Sequence, residues 1–298
     1  MKKLFTLFLF VFFVTSVSNS QNLENRINKF ALDFGSGYTR PLVEALGMMM
    51  NNGWMSVKAM KDKFSIDVGV TGLIVLIPSS DKEFTITSPF PTYQQDVAPT
   101  VVGPSEERTI SGSANKYPKG FNLGVLPVIM PQLSVGNLYG TRLILRAMPK
   151  IQISDIGYLS LFGVGAQHSI TQHFKKVTPV DVAVAFAYET INLGDIASAN
   201  SFTGSVMVSK KVSVISFYAL TGFDYSKMTF DYSSTYTDPT PPNNTVTARL
   251  HYETNGKNGL KFAIGGSGES RFVRFNAGMT LLPKFCINLG LGLGAGIK

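Results

Sequence analysis

Residues 285–297 read FCINLGLGLGAGI, and this stretch decides the fold. Phe285, Ile287, Leu289, Leu291, Leu293, Ala295 and Ile297 alternate with Cys286, Asn288, Gly290, Gly292, Gly294 and Gly296. Successive side chains of a strand point to opposite faces, so period two gathers the apolar groups on one side. The other side is almost bare backbone. A last strand that is apolar on one face and small on the other suits the closing seam of a membrane β-barrel.

The same alternation recurs upstream. Phe64, Ile66, Val68 and Val70 share one face, and Ser65, Asp67, Gly69 and Thr71 the other. Leu143, Leu145 and Ala147 oppose Arg142, Ile144, Arg146 and Met148. The clearest internal case is Val180 to Leu193. There Val180, Val182, Val184, Phe186 and Tyr188 oppose Asp181, Ala183, Ala185, Ala187 and Glu189. In lipid the first face must point outward, because carboxylates at Asp181 and Glu189 are costly against hydrocarbon. Val246, Ala248, Leu250 and Tyr252 likewise oppose Thr247, Arg249, His251 and Glu253. Turns are expected at Ser79–Lys82, Pro149-Lys150, Lys210-Lys211 and Asn255-Gly256, with long loops over Tyr93–Lys119 and Thr237–Asn244. The pattern predicts an all-β, antiparallel transmembrane barrel of about twelve strands from Phe64 onward. The number is fourteen if Phe30–Phe34 and Phe121–Leu126 also pair; an even number is needed in either case.

The ends and the composition agree with an exported barrel. Lys2 and Lys3 precede the apolar run Leu4–Val14, and Ser18-Asn19-Ser20 offers a cleavage site, so residues 1–20 read as a signal peptide. Residues 21–63 then form an N-terminal segment and 64–298 the barrel. No apolar stretch in the remainder reaches the roughly 18 residues of a membrane helix. Charged residues make up 15% of the chain, against about 25% in soluble domains. A soluble β-sandwich needs a charged exterior; a barrel needs a lipid-facing belt. The net charge of +8 is scattered and includes no long basic run, so nucleic acid is not an expected partner.

Within the N-terminal segment, Pro41 to Met50 reads as a short helix, with Pro41 in its first turn and Asn51-Asn52-Gly53 ending it. Leu46, Met48, Met49, Met50 and Trp54, the only tryptophan, make it an apolar body suited to plugging the barrel mouth; the alternatives are a periplasmic cap that fills space and a strand in place of the helix. Arg142, Arg146, Asp181, Glu189 and Arg249 fall on inward faces and are the candidate lumen residues. The single cysteine, Cys286, excludes an intrachain disulfide and reads as a small inward-facing residue.

Chemistry is sparse. Gly163-Val164-Gly165 lies inside an alternating strand with no βαβ unit, so glycine there relieves crowding at a closely packed wall instead of cradling a phosphate. His168, His173 and His251 are the only histidines. The first two are five apart across a turn, a poor spacing for a metal, so no metal or other cofactor is expected. Ser169 beside His168, with Asp181 on the next strand, is the best catalytic grouping, and it reads as ordinary rim polarity; an enzyme is not expected.

The chain resembles a family of Gram-negative outer-membrane β-barrels that has no assigned function. The resemblance rests on Pro41-Leu42-Val43 with Asn52-Gly53-Trp54, on Met148-Pro149-Lys150-Ile151 followed by Gly163-Val164-Gly165-Ala166-Gln167-His168, and on Thr178-Pro179-Val180-Asp181. More distantly, a helix ahead of the strands is similar to the long-chain fatty-acid transporter type of barrel, whose binding residues find no counterparts here. The resemblance implies an outer-membrane location with membrane lipid as partner. The expected role is a passive or gated channel for small molecules, apolar ligands included. The alternative is a non-transporting surface or assembly protein that binds partners through its loops.

Overall fold

A computed structural model describes residues 32–57, 64–88, 94–111, 116–153, 157–175, 178–237, 245–270 and 272–296. The signal-peptide reading of residues 1–20 lies outside them. Among the described residues, helix α1 (Leu32–Asn51) comes first and fifteen strands follow. These are β1 (Ser65–Leu76), β2 (Glu83–Ser88), β3 (Gln94–Pro99), β4 (Arg108–Thr109), β5 (Lys116–Tyr117), β6 (Val125–Leu138), β7 (Thr141–Ile153) and β8 (Gly157–Ser169). They are followed by β9 (Asp181–Leu193), β10 (Ala197–Val212), β11 (Ile215–Thr237), β12 (Thr245–Asn255), β13 (Gly259–Glu269), β14 (Val273–Leu282) and β15 (Cys286–Gly296).

Ten strands close a ring in the order β1-β6-β7-β8-β9-β10-β11-β13-β14-β15, with β15 returning to β1. Every pairing in the ring is antiparallel. The seam is the alternating C-terminal stretch itself: Ser65 pairs with Gly296 and Val75 with Cys286. Closure leaves no ring strand with an unpaired edge, which a bilayer requires.

The count of about twelve strands is therefore corrected to ten plus one. β12 pairs only with the outer half of β11, Lys227 to Thr237, and projects beyond the ring. β2, expected as the return of the first hairpin, pairs with β3 instead, and β4 with β5. Alternation alone does not distinguish a ring strand from a hairpin outside the ring, because both bury one face. Other boundaries move as well. The run Leu133–Met148 is split by a two-residue turn, Tyr139 (φ 51) and Gly140 (φ 71), whose paired positive φ values match strand twist. Pro149 and Lys150 lie inside β7, where the register slips between Met148 and Ile151; a bulge accommodates a residue with no N–H for the ladder. Lys210-Lys211 belongs to β10, and the turn comes after Val212. The expected loop Tyr93–Lys119 contains β3, β4 and β5.

The barrel is apolar outside; its inner wall is apolar toward the cap end, where Leu73, Val75, Met130, Ile191 and Met228 are buried, and polar beyond. Val68, Leu143, Phe162, Phe186, Phe217, Phe223, Phe275, Leu291 and Leu293 are exposed on the outer wall. Their neighbours along the strands turn inward and are buried: Asp67, Arg142, Arg146, Glu189, Ser201, Thr203, Ser205, Asp224, Lys261 and Asn288. A soluble barrel has the reverse arrangement.

The two ends differ. At one, the turn end, the connections include the short β6–β7 and β10–β11 turns. At the other, the cap end, the β11–β12 pair projects beyond the ring, and described residues between 77 and 124 build a second apolar cluster from Ile77, Ile86, Ala98, Val101, Val102 and Tyr117. Helix α1 starts among these cap elements. Tyr38 joins their cluster, its hydroxyl donates to the Lys119 carbonyl (3.0 Å), and its own carbonyl accepts from Val101 (2.9 Å). Pro41 sits mid-helix, not in the first turn as expected. The lost hydrogen bond costs about 3 kcal/mol, which burial of Tyr38, Val43 and the methionines offsets.

Candidate functional site in the barrel lumen

Eight strands make a barrel that side chains alone can fill. Ten leave extra width, and here the chain's own N-terminal side occupies it. The C-terminal half of α1 enters at the cap end, where Val43, Ala45, Met48, Met49 and Met50 pack on Leu73, Val75, Met130, Leu161, Ile191, Met228, Phe230 and Cys286. Residues 52–57 then run along the interior toward the turn end. Ser56 N–H donates to Gln167 Oε1 (3.3 Å), Gln167 Nε2 to the Ser56 carbonyl (3.1 Å), and Ser267 Oγ to the Val57 carbonyl (3.0 Å). Val57 thus lies beside the turn-end part of β13, the end at which β1 starts.

A helix C-terminus buried in a lumen must satisfy its last carbonyls without water. Each finds a donor. Met48 O accepts from Asn52 Nδ2 (2.6 Å), Met49 O from Asn52 N–H (3.3 Å), and Met50 O from Trp54 Nε1 (2.6 Å). Asn51 O accepts from Lys261 Nζ (2.7 Å) and Asn52 O from Arg146 Nη2 (2.8 Å). Two wall cations thus meet the negative end of the helix dipole, where positive charge is favoured. Gly53 (φ 74) makes the sharp exit, and a Cβ there would sit 2.6 Å from Thr71 Cγ2.

The two cations are paired in turn. Arg146 and Glu189 lie 3.2 Å apart, both fully buried. Lys261 and Asp224 lie 2.8 Å apart, with Thr203 Oγ1 donating to the same carboxylate (2.6 Å). Trp54 lies against the wall next to Arg146, whose guanidinium carbon is 3.9 Å from the ring centroid. The indole fits because Gly163 and Gly165 lack side chains: a Cβ on either would come within 2.9 Å of it. Thr280 Oγ1 adds a bond to Asn52 Oδ1 (2.6 Å). At the cap end, Lys284 joins Glu44 of α1 (2.6 Å) and also Asp81, tying helix, cap and barrel together. Beside this segment lie cavities of about 70 and about 20 Å³, room for a few water molecules.

The structure brings together three of the expected lumen residues. Arg146 and Glu189 form the central pair, and Arg142 lies inward nearer the turn end, 3.8 Å from Asp67. Asp181 lies at the turn-end rim, where Thr171 Oγ1 donates to it (3.3 Å). Arg249 is corrected: it belongs to β12, outside the ring, and its side chain lies outside the described residues. Of the helix candidates, Met48, Met49, Met50 and Trp54 are buried and Leu46 partly so. Sequence reasoning missed Lys261 and Asp224, although each interrupts an apolar alternation (Leu260 and Phe262, Phe223 and Tyr225) that marks it as inward. The Ser169 grouping does not assemble: Ser169 Oγ pairs with Thr171 (3.2 Å), while His168 faces Thr141 and His173.

Outside the barrel wall, cap groups shift in ways their partners explain. Ser111 donates backbone and side-chain bonds to Asp96, which holds that carboxyl below its ordinary range. Asp231 beside His251 raises the imidazole pKa.

A closed antiparallel barrel with an apolar exterior and charged pairs buried inside defines the class. The chain belongs to a family of unknown function, DUF6588, whose model matches residues 1–295. No curated protein matches it. Among solved structures, Neisserial surface protein A is similar at 10% identity and TM-score 0.25, covering 78% of this chain and 97% of that one. Ail, the attachment invasion locus protein of Yersinia pestis, solved with a heparin analogue, is similar at 11% identity and TM-score 0.23, covering 78% and 96%. The transport unit of the autotransporter AIDA-I from Escherichia coli is similar at 8% identity and TM-score 0.24, covering 87% and 99%.

Proposed function

We propose that this protein is an outer-membrane barrel kept closed by its own N-terminal segment, and that it presents the cap at the cell surface as a contact face. The observation that carries the reading is the occupied lumen, in which every carbonyl from Met48 to Asn52 finds a donor. Leu46 to Val57 fills the interior, and the cavities beside it hold only a few waters. An inverted exterior supports a bilayer as the solvent of the wall. Long connections face outward in bacterial barrels and short turns face the periplasm, which sets the cap of residues 77–124 and the β11–β12 hairpin outside.

A gated channel for small solutes requires this plug to leave. Withdrawal would strand Arg146 and Lys261 without the Asn52 and Asn51 carbonyls and would expose a run of methionines. With the segment seated on the apolar cap-end wall, a fatty-acid-like ligand has little room beside it. The resting state is therefore non-conducting. Planar-bilayer recording tests this directly. The refolded full-length chain is expected to be silent, and a variant lacking residues 32–57, confirmed as folded by heat-modifiable migration, is expected to conduct. Steady conductance by the full-length chain would restore the channel reading.

A further inference from the structure

His168 is the penultimate residue of β8, and His173 ends a one-turn 3-10 helix, Thr171–His173, in the connection that follows. The turn folds back so that the two Nε2 atoms face each other at 2.9 Å, with ring centroids 5.2 Å apart. Two imidazole nitrogens this close are either a neutral N–H···N pair or two lone pairs aimed at a common cation. Metal–imidazole bonds are about 2.0–2.1 Å. Adjacent ligands on an octahedral cation then lie about 2.9 Å apart and on a tetrahedral one about 3.3 Å apart, so the observed spacing fits two neighbouring ligands.

A second observation points the same way. His168 Nδ1 lies 2.9 Å from Thr141 Oγ1 on the neighbouring strand. A hydroxyl that accepts Nδ1–H fixes the tautomer whose Nε2 lone pair is free, as the outer partners of metal-bound histidines do. The Gln172 amide nitrogen is 3.2 Å from each Nε2 but donates to the Tyr139 carbonyl (2.8 Å), so it is not counted as a ligand. His173 is exposed, which leaves the site open to solvent.

We propose that His168 and His173 form a two-imidazole site for a late first-row divalent cation (Zn²⁺, Ni²⁺ or Cu²⁺) at the turn end of the barrel. Water completes the coordination, because among the described residues no group of three or more His, Cys, Asp or Glu converges. A bound ion would staple the β8–β9 connection to the rim. The site is independent of whether the lumen conducts.

The protein has only three histidines, so an untagged chain gives a clean test. Calorimetric titration of the folded full-length protein with each chloride salt at pH 7.5 is expected to show one micromolar site, tightest for Cu²⁺, and none for Mg²⁺ or Ca²⁺. His168→Ala and His173→Ala are each expected to weaken it at least tenfold. His168→Gln serves if the alanine variant does not fold. Thr141→Val is expected to weaken binding severalfold, and His251→Ala to leave it unchanged. Lowering the pH to 5.5 protonates the imidazoles and should weaken it further. Absence of binding to the folded wild type, or binding by His168→Ala or His173→Ala as tight as that of the wild type, would overturn the proposal.

Discussion

Trp54→Ala is the most informative single change, because Trp54 is the point at which the inner segment is pressed against the barrel wall. The indole is 3% exposed and touches Ile144 and Ala187, Gly163 and Gly165, and the Arg146 guanidinium. Removing a buried tryptophan costs about 3–5 kcal/mol. The loss should fall in the upper part of that range, because a desolvated cation–π contact, worth about 2 kcal/mol, disappears with it. The Met50 carbonyl also loses its donor. Since nearly all of these contacts join the inner segment to the wall, the cost falls on seating and not on the ring's ladders. About 4 kcal/mol raises the population of unseated molecules by roughly a thousandfold. Urea unfolding from liposomes should show a reduced midpoint, and bilayer recordings should show brief openings absent from wild type. Trp54→Phe should fall between the two. An unchanged midpoint with no openings would refute the idea that Trp54 seats the segment.

Lys261→Met leaves Asp224 buried without its partner and frees the Asn51 carbonyl, so a loss of about 3–5 kcal/mol is expected. Adding Asp224→Leu should recover most of it, and an additive double variant would contradict the pairing. Cysteines placed at Arg40 and Glu106 should react with a membrane-impermeant maleimide from one side, and a cysteine at Val214 only from the other, because α1 starts at the cap end. Asp96 has a folded pKa below its unfolded value, so its contribution is complete above the ordinary carboxylate range near pH 4 and disappears as pH falls through the folded value. The protection factor of the Ser111 amide, its exchange relative to the intrinsic rate at each pH, should therefore fall in acid, and Asp96→Asn should remove that dependence.

Much of the barrel was legible because a bilayer leaves few solutions. Glu189 beside Tyr188, Arg146 beside Leu145 and Asn288 beside Leu289 each announce which face meets lipid, and each points as its alternation requires. The glycines at 163 and 165 were read as a crowded wall, and what crowds them is Trp54. What could not be read was which partner each strand takes. β2 alternates as well as β1, but pairing is a long-range choice that a local period does not encode. The length of α1 was hidden by Pro41, a common start signal that tertiary burial overrides here. The His168–His173 approach depended on a single 3-10 turn, below the resolution of spacing rules.

The single tryptophan also gives the most direct test of the central claim that the wall faces lipid and the N-terminal segment lies inside it. Fluorescence of the wild-type protein in bilayers with brominated acyl chains should be unquenched, because Trp54 is enclosed. In a Trp54→Phe background, a tryptophan placed at the outward position by Phe186→Trp should be strongly quenched. Quenching of Trp54 with none at position 186 would contradict the arrangement of the barrel.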